Sequence, residues 1–435
     1  MTMFADRTKW NLAPNRLSEA LARHRAAGKP LVDLTVSNPT ECGFDYDQRA
    51  ILQALQNPAA LQYTPEPRGL LSARQAVQGY YAERDVSLDA DDIFLTTSTS
   101  EAYSYAFRLL CNPGDEILIP APSYPLFDFL ADIQDVKVAR YPLIYDHGWQ
   151  IDFHSLERAI TPRTRAIVVV HPNNPTGHFT KRAELEKLNA TCAERGLALI
   201  ADEVFLDFSL KAIATSDSCE PDATNYHSER SAFFVPRMLL RSEESAFRKR
   251  GAPDPRPSLA TSFSFAGNRG ALTFTLSGIS KICGLPQMKA AWLVVSGPQK
   301  LKDEAKDRLE VIADTFLSMN APVQLALPTF LAQGRAFQAQ LTDRVRRNLA
   351  ELDRQLSLQK VCSRLEVEGG WYAILRVPAT RPDEDLAIEV LTICGVSVHP
   401  GHLYDFSHDG YLVVSLISPS ASFAQGMTKL LTLLT

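Results

Sequence analysis

Lys281 is the residue whose surroundings first suggest chemistry. It closes the string Leu276-Ser277-Gly278-Ile279-Ser280-Lys281, directly after the apolar run Ala271-Leu272-Thr273-Phe274-Thr275-Leu276. An ammonium at the end of a buried strand is poorly hydrated, so its neutral amine becomes more accessible, which is what forming a Schiff base requires. Three stretches upstream supply complementary groups. Ser98-Thr99-Ser100 closes one apolar run and opens a helical one, so its free backbone N–H groups and hydroxyls suit an anion such as phosphate, although a plain N-cap explains it as well. His171-Pro172-Asn173-Asn174-Pro175-Thr176-Gly177 reads as a rigid turn in which asparagine offers both a donor and an acceptor. Ala201-Asp202-Glu203-Val204-Phe205 sets two carboxylates at the end of a further apolar run. A carboxylate aimed into a crevice is costly unless it meets a cation, and a protonated pyridine nitrogen is such a partner; the alternative is an ordinary acid in solvent.

The elements that must position these groups alternate. Ile93 to Thr97, Glu116 to Pro120, Ala166 to Val170 and Ala198 to Ala201 read as strands, with helices over Glu101 to Cys111 and Ala183 to Arg195. Apolar runs without alternation imply burial on both faces, hence a mostly parallel sheet between helices whose ligands gather at the carboxyl ends of the strands. Further helices are expected over Asn15 to Ala27, Leu70 to Arg84, Lys300 to Phe316, and Gln324 to Leu358 with an interruption near Gly334. Strands around Tyr372 to Val377 and Tyr411 to Leu416, with helices from Asp383 and Phe423, predict a smaller α+β domain. Residues 209–269, rich in Ser, Arg, Glu and Pro, read as an irregular insertion, either a lid or partner-binding segment or a tolerated surface excursion. The expected division is 1–48 as an N-terminal arm and part of the small domain, 49–315 as a large cofactor-binding domain, and 316–435 as the small C-terminal domain.

Composition narrows the function classes. The 435 residues are 45% hydrophobic and 22% charged, ordinary for a globular protein. A net charge of -5 argues against nucleic acid or an anionic membrane as the main partner, and no apolar run reaches spanning length. The seven cysteines form no CxxC pair, and the N-terminal stretch lacks the apolar core of a secretory signal, so reduced thiols in a cytoplasm are expected.

Phosphate site, amide, carboxylate and late lysine together describe a pocket for pyridoxal 5'-phosphate. On Asn173-Asn174-Pro175-Thr176-Gly177, Asp202-Glu203-Val204 and Ser280-Lys281, in that order, the chain resembles the fold-type I aminotransferases of class I/II, the aspartate and alanine aminotransferase relatives. That resemblance implies an α/β fold with a large, mostly parallel sheet and a smaller α+β domain built from the C-terminal part and the N-terminal segment. It implies amino-group transfer between an amino acid and a 2-oxo acid through a Schiff base on Lys281, with Asp202 pairing with the pyridinium nitrogen. By the same resemblance Asn174 would bond the ring's 3'-oxygen, Tyr124 would stack on the ring, and Thr99 and Ser100 would hold the phosphate. Tyr63 resembles the tyrosine that reaches the neighbouring subunit's site, which implies a homodimer with shared active sites.

Several positions depart from the family pattern. Val413, in Tyr411-Leu412-Val413-Val414-Ser415, stands where the family carries the arginine that clamps the substrate carboxylate, and Arg376, Arg68 and Lys289 are the candidate substitutes. Phe205 replaces a tyrosine, and Lys289, in Pro286-Gln287-Met288-Lys289, puts a point charge where a phosphate-binding arginine is usual. Gly278 stands where many relatives have a serine, and Asp202 and Lys281 are 79 positions apart, a wider gap than usual. A lyase or decarboxylase on the same scaffold and a non-catalytic regulatory relative are the alternatives to an aminotransferase.

Overall fold

The computed structural model describes residues 3–210 and 263–435. Its centre is an eight-stranded sheet in the order Ile93–Thr96, Ala291–Ser296, Thr273–Gly278, Ala198–Asp202, Thr164–Val170, Glu116–Ala121, Lys137–Tyr145 and Trp149–Ile151. The strands from Thr273–Gly278 through Lys137–Tyr145 pair in parallel, while Ala291–Ser296 runs antiparallel to both of its neighbours. Phe274, Leu199, Ile167 and Leu118 have no exposed surface, so the continuous apolar runs are buried on both faces, as parallel strands covered by helices require.

Among the described residues there are two smaller sheets. Ser363–Arg364, Tyr372–Arg376, Tyr411–Ser415 and His399–Pro400 form an antiparallel sheet in that order. Val32–Asp33 pairs in parallel with Val396–Ser397, which joins the N-terminal segment to the C-terminal part. One continuous apolar cluster runs from the central sheet, through Leu118 and Val169, to Ile374 and Val413 of the four-stranded sheet.

Two expectations need correction. Helix Ala321–Leu356 is uninterrupted over 36 residues. Gly334 is a point of close approach rather than a break: a Cβ there would lie 2.8 Å from the Cys283 Sγ, beside the turn that carries Lys281. The irregular insertion also begins and ends elsewhere. Ser209 bridges to Gly369, and Phe263 to Gly267 belong to the packed body, with Phe265 and Ala266 fully buried. The rest of that insertion, 211–262, lies outside the described residues. Strands Lys137–Tyr145 and Ala291–Ser296 were not expected; the first has a mixed sequence and only partial burial, while the second is an apolar run buried along its whole length. Among the described residues no helix is long and apolar enough to cross a membrane.

Candidate active site

Register brings the motifs together. Asp202 is paired with Val170 on one side and Leu276 on the other, so the three strands end side by side, about 4.8 Å apart. Asn174 lies four residues beyond Val170, and Lys281 five beyond Leu276. Their side chains therefore enter one crevice from adjacent strand ends, where open α/β sheets place their ligands.

Each motif is fixed locally. His171 is buried, and its ring takes a hydrogen bond from the Thr180 amide at 3.1 Å while the other nitrogen meets the Phe263 carbonyl at 2.9 Å. Gly177 closes the turn at φ +70°, where a Cβ would lie 2.4 Å from Val367 and 2.6 Å from the Gly369 carbonyl, so glycine is required. Ser98 caps helix Thr99–Leu110 by accepting from the Glu101 amide at 3.2 Å, while the Glu101 carboxylate accepts from the Thr97 amide at 2.7 Å. That exchange leaves Thr99 and Ser100 as the first residues of the helix, facing the crevice.

The crevice is a cavity of about 300 Å³. Thr99, Ser100, Tyr124, Asn174, Asp202 and Lys281 all line it. Tyr63 and Lys289 are not brought there. Tyr63 is 80% exposed, and Lys289 is an exposed residue in the left-handed conformation after the turn Pro286–Met288. Arg68 is held by Glu310 and the Asp91 carbonyl, and Arg376 is exposed with its guanidinium 6.0 Å from the Tyr145 ring centre, so neither replaces an arginine at Val413. Val413 itself is fully buried in the apolar core.

Electrostatics set Lys281 and Asp202 apart from ordinary lysines and aspartates. Burial pulls the Lys281 ammonium down to about 8, against a smaller opposing pull from Asp202. The Trp371 and Phe205 rings, with centres 5.0 and 5.9 Å from the Lys281 Nζ, favour the charged form, but desolvation outweighs them. Phenylalanine at 205 therefore does not prevent a depressed lysine. Burial raises Asp202 to about 6, although it accepts from the Tyr103 hydroxyl at 3.0 Å and the Val204 amide at 3.1 Å. The neighbouring Glu203 is absent from the cavity wall; its carboxyl meets the Ser264 hydroxyl at 2.7 Å and the Phe265 amide at 2.6 Å.

Ser37, Tyr103, Tyr372, His399 and Tyr404 also line the cavity, and sequence reasoning had not singled them out. Tyr103 was within reach, since it lies four residues after Thr99 and so on the same helical face. The others come from the N-terminal segment, the four-stranded sheet and the turn Gly401–Tyr404 that follows strand His399–Pro400, and no spacing announces them.

A sequence model of the family described as Aminotransferase class I and II matches residues 29–416. The chain belongs to that family. Among aminotransferases, it is 28% identical over 305 residues to the glutamate-pyruvate aminotransferase AlaA of Escherichia coli, covering 70% of this chain and 64% of that one. It is 29% identical over 315 residues to an alanine aminotransferase of Mycobacterium tuberculosis, covering 71% and 62% respectively. The chain thus matches less than two thirds of the length of either relative. Its fold is that of the Pyrococcus furiosus alanine aminotransferase, with a TM-score of 0.79 at 20% identity over 99% of both chains. Thermus thermophilus aspartate aminotransferase with maleate gives 0.75 at 21% identity, also over 99% of both. Members of the aminotransferase family depend on pyridoxal 5'-phosphate.

Proposed function

We propose that this chain is a pyridoxal-phosphate-dependent aminotransferase moving an amino group between an amino acid and a 2-oxo acid. The observation that carries the reading is the meeting of a half-buried lysine, its pKa depressed by desolvation, and a half-buried aspartate in one cavity. Lys281 and Asp202 line about 300 Å³ of space together with Asn174, whose side-chain oxygen is buried without a hydrogen-bond partner among the described residues. A buried polar atom left unpaired is costly, so that oxygen, or the amide nitrogen after rotation of the group, suits a ligand atom. The donor set fits the cofactor: an anion-binding helix start, an amide, an acid and an amine.

Pyridoxal phosphate, when bound, supplies an aldehyde for amines and a cationic ring that draws charge away from the substrate's Cα. The chain does the rest. Thr99 and Ser100 hold the phosphate with hydroxyls and N–H groups at the helix start. Asp202, oriented by Tyr103 and Val204, presents an acceptor that keeps a proton on the ring nitrogen, and a cation there would return its own pKa towards the ordinary carboxylate range. Lys281, with a pKa of about 8, is neutral in a useful fraction near neutral pH, so its Nζ serves first as nucleophile and then as the base that carries the Cα proton. Tyr124, 46% exposed at the cavity wall, would offer its ring for stacking on the cofactor's.

The same reading includes a homodimer. Tyr63 and Leu61, 80% and 94% exposed on one loop, project from the chain where a second copy would receive them. It assigns no role to Lys289, and it takes residues 49–315 as the cofactor-binding body, with 316–435 and 1–48 as its smaller companion. A cytoplasmic place in amino acid biosynthesis belongs to the proposal as well.

Borohydride reduction of the loaded protein, followed by peptide mapping, tests the anchor: the label should fall on Lys281, and a label elsewhere defeats the reading. A survey of amino donors, followed through the cofactor's absorbance, tests the reaction. Conversion to the pyridoxamine form is expected, whereas release of pyruvate and ammonia would mean a lyase.

A further inference from the structure

An amino acid and a 2-oxo acid share a carboxylate, and a cavity that turns over both must receive it. Lysine 281 is committed to the amino group's chemistry, and among the described residues lining the cavity there is no arginine. The wall formed by the small sheet offers something else. His399 opens strand His399–Pro400, opposite the buried Val413 in register, and lines the cavity beside Ser37, Tyr372 and Tyr404. Its Nδ1 is 2.9 Å from the Tyr404 hydroxyl, and the two rings are tilted with centres 5.8 Å apart. Tyr404 is 5% exposed and burial holds its hydroxyl protonated, so this bond survives across the working pH range. A hydroxyl that donates to Nδ1 leaves the imidazole proton on Nε2.

We propose that His399, oriented by Tyr404, is the residue that receives the substrate carboxylate, through its Nε2–H. Ser37 and Tyr372 add hydroxyl donors on the same wall. A single imidazole N–H is a smaller recognition element than a guanidinium fork, so the site takes one carboxylate with modest affinity and without the planar two-point match of arginine. The inference rests on the aminotransferase reading and deepens it, naming His399 as the residue by which this cavity tells an amino acid from an amine.

The test uses loaded protein, the best donor from the survey above, and the amine obtained by removing that donor's carboxyl group. His399→Leu should raise KM for the donor about tenfold to a hundredfold and change kcat by less than about threefold, a loss typical of a hydrogen bond to a charged group. Turnover of the matching amine should not change. His399→Gln, whose side-chain amide can donate from a similar place, should recover part of the affinity, and Tyr404→Phe should cost less than His399→Leu. Equal losses for acid and amine, or an unchanged KM for the acid in His399→Leu, would overturn the proposal, with the unaltered amine rate serving as the check that the variant is folded and loaded. A survey in which no donor reacts, despite borohydride labelling at Lys281, defeats the aminotransferase reading and this inference with it; donors that react with an unaffected KM defeat the inference alone.

Discussion

Asp202 and Asp207 lie on one short segment, both half-buried, and they meet opposite fates. Asp207, its side chain 1% exposed, is paired with Arg84 and accepts from the Tyr80 hydroxyl at 2.9 Å, while the Arg84 guanidinium lies 3.7 Å from the centre of the Tyr80 ring. Asp202 has a hydroxyl and an amide but, among the described residues, no ion-pair partner, and burial lifts its pKa to about 6. The same residue type at similar depth is thus structural in one place and under-compensated in the other. A buried charge with its counter-ion in place holds a fold together; one facing a cavity without a counter-ion costs stability until a ligand supplies it.

The largest effect expected is on chemistry. Lys281→Ala should lower the transamination rate by about 10²–10⁴-fold, the range associated with losing a positioned acid–base group, and should abolish borohydride labelling while leaving the circular-dichroism spectrum unchanged. If the rate survives, the cavity that holds Asp202 is not the reactive one, and the contrast with Asp207 loses its meaning.

On the structural side, Asp207→Ala strands the Arg84 guanidinium, whose side chain is 10% exposed, without its partner. Urea denaturation should report a loss of about 3–5 kcal/mol. Asp202→Asn should do the reverse to the cofactor-free protein. Because the folded-state pKa is raised from the ordinary value to about 6, the folded chain binds that proton more tightly than the unfolded one. Stability from this group is therefore greatest below about pH 4 and is lost as pH rises through about 6. Above that window the asparagine variant should be more stable by about 1–3 kcal/mol, and the difference should vanish in acid. Parallel melting curves at every pH would mean that Asp202 is already compensated.

The difference between the two aspartates also sets what could be read from the sequence. The strand ends carrying Asn174, Asp202 and Lys281 were legible because continuous apolar runs mark parallel strands and the polar groups follow each run directly. Asp207 was not: its partners come from helix Leu71–Ala82, which carries Tyr80, and from the turn after it, which carries Arg84, more than a hundred positions earlier, and nothing local signals the pair. The cavity's far wall was hidden for the same reason. Ser37, Tyr372 and His399 are assembled only when Val32–Asp33 pairs with Val396–Ser397 and the antiparallel sheet closes over the crevice. Gly334 misled because glycine in a helical pattern reads as a breaker, whereas here it lets the helix approach Cys283.

The finest probe of the comparison is Tyr103→Phe. Tyr103 is the only side chain among the described residues that donates to Asp202, as Tyr80 does to Asp207, but without an arginine behind it. Its hydroxyl stabilises the ionised carboxylate, so removing it should push the Asp202 pKa further up. Acid then neutralises Asp202 at a higher pH, and the acid limb of cofactor binding should move up by roughly one unit, about 1–1.5 kcal/mol. The alkaline limb, governed by Lys281, should stay where it is. Tyr80→Phe makes the control: with Arg84 still paired to Asp207, cofactor binding should keep the wild-type acid limb. A shift of the same size in both variants would show that the limb reports general loosening of the fold, and that Asp202 holds no special place beside the ring nitrogen.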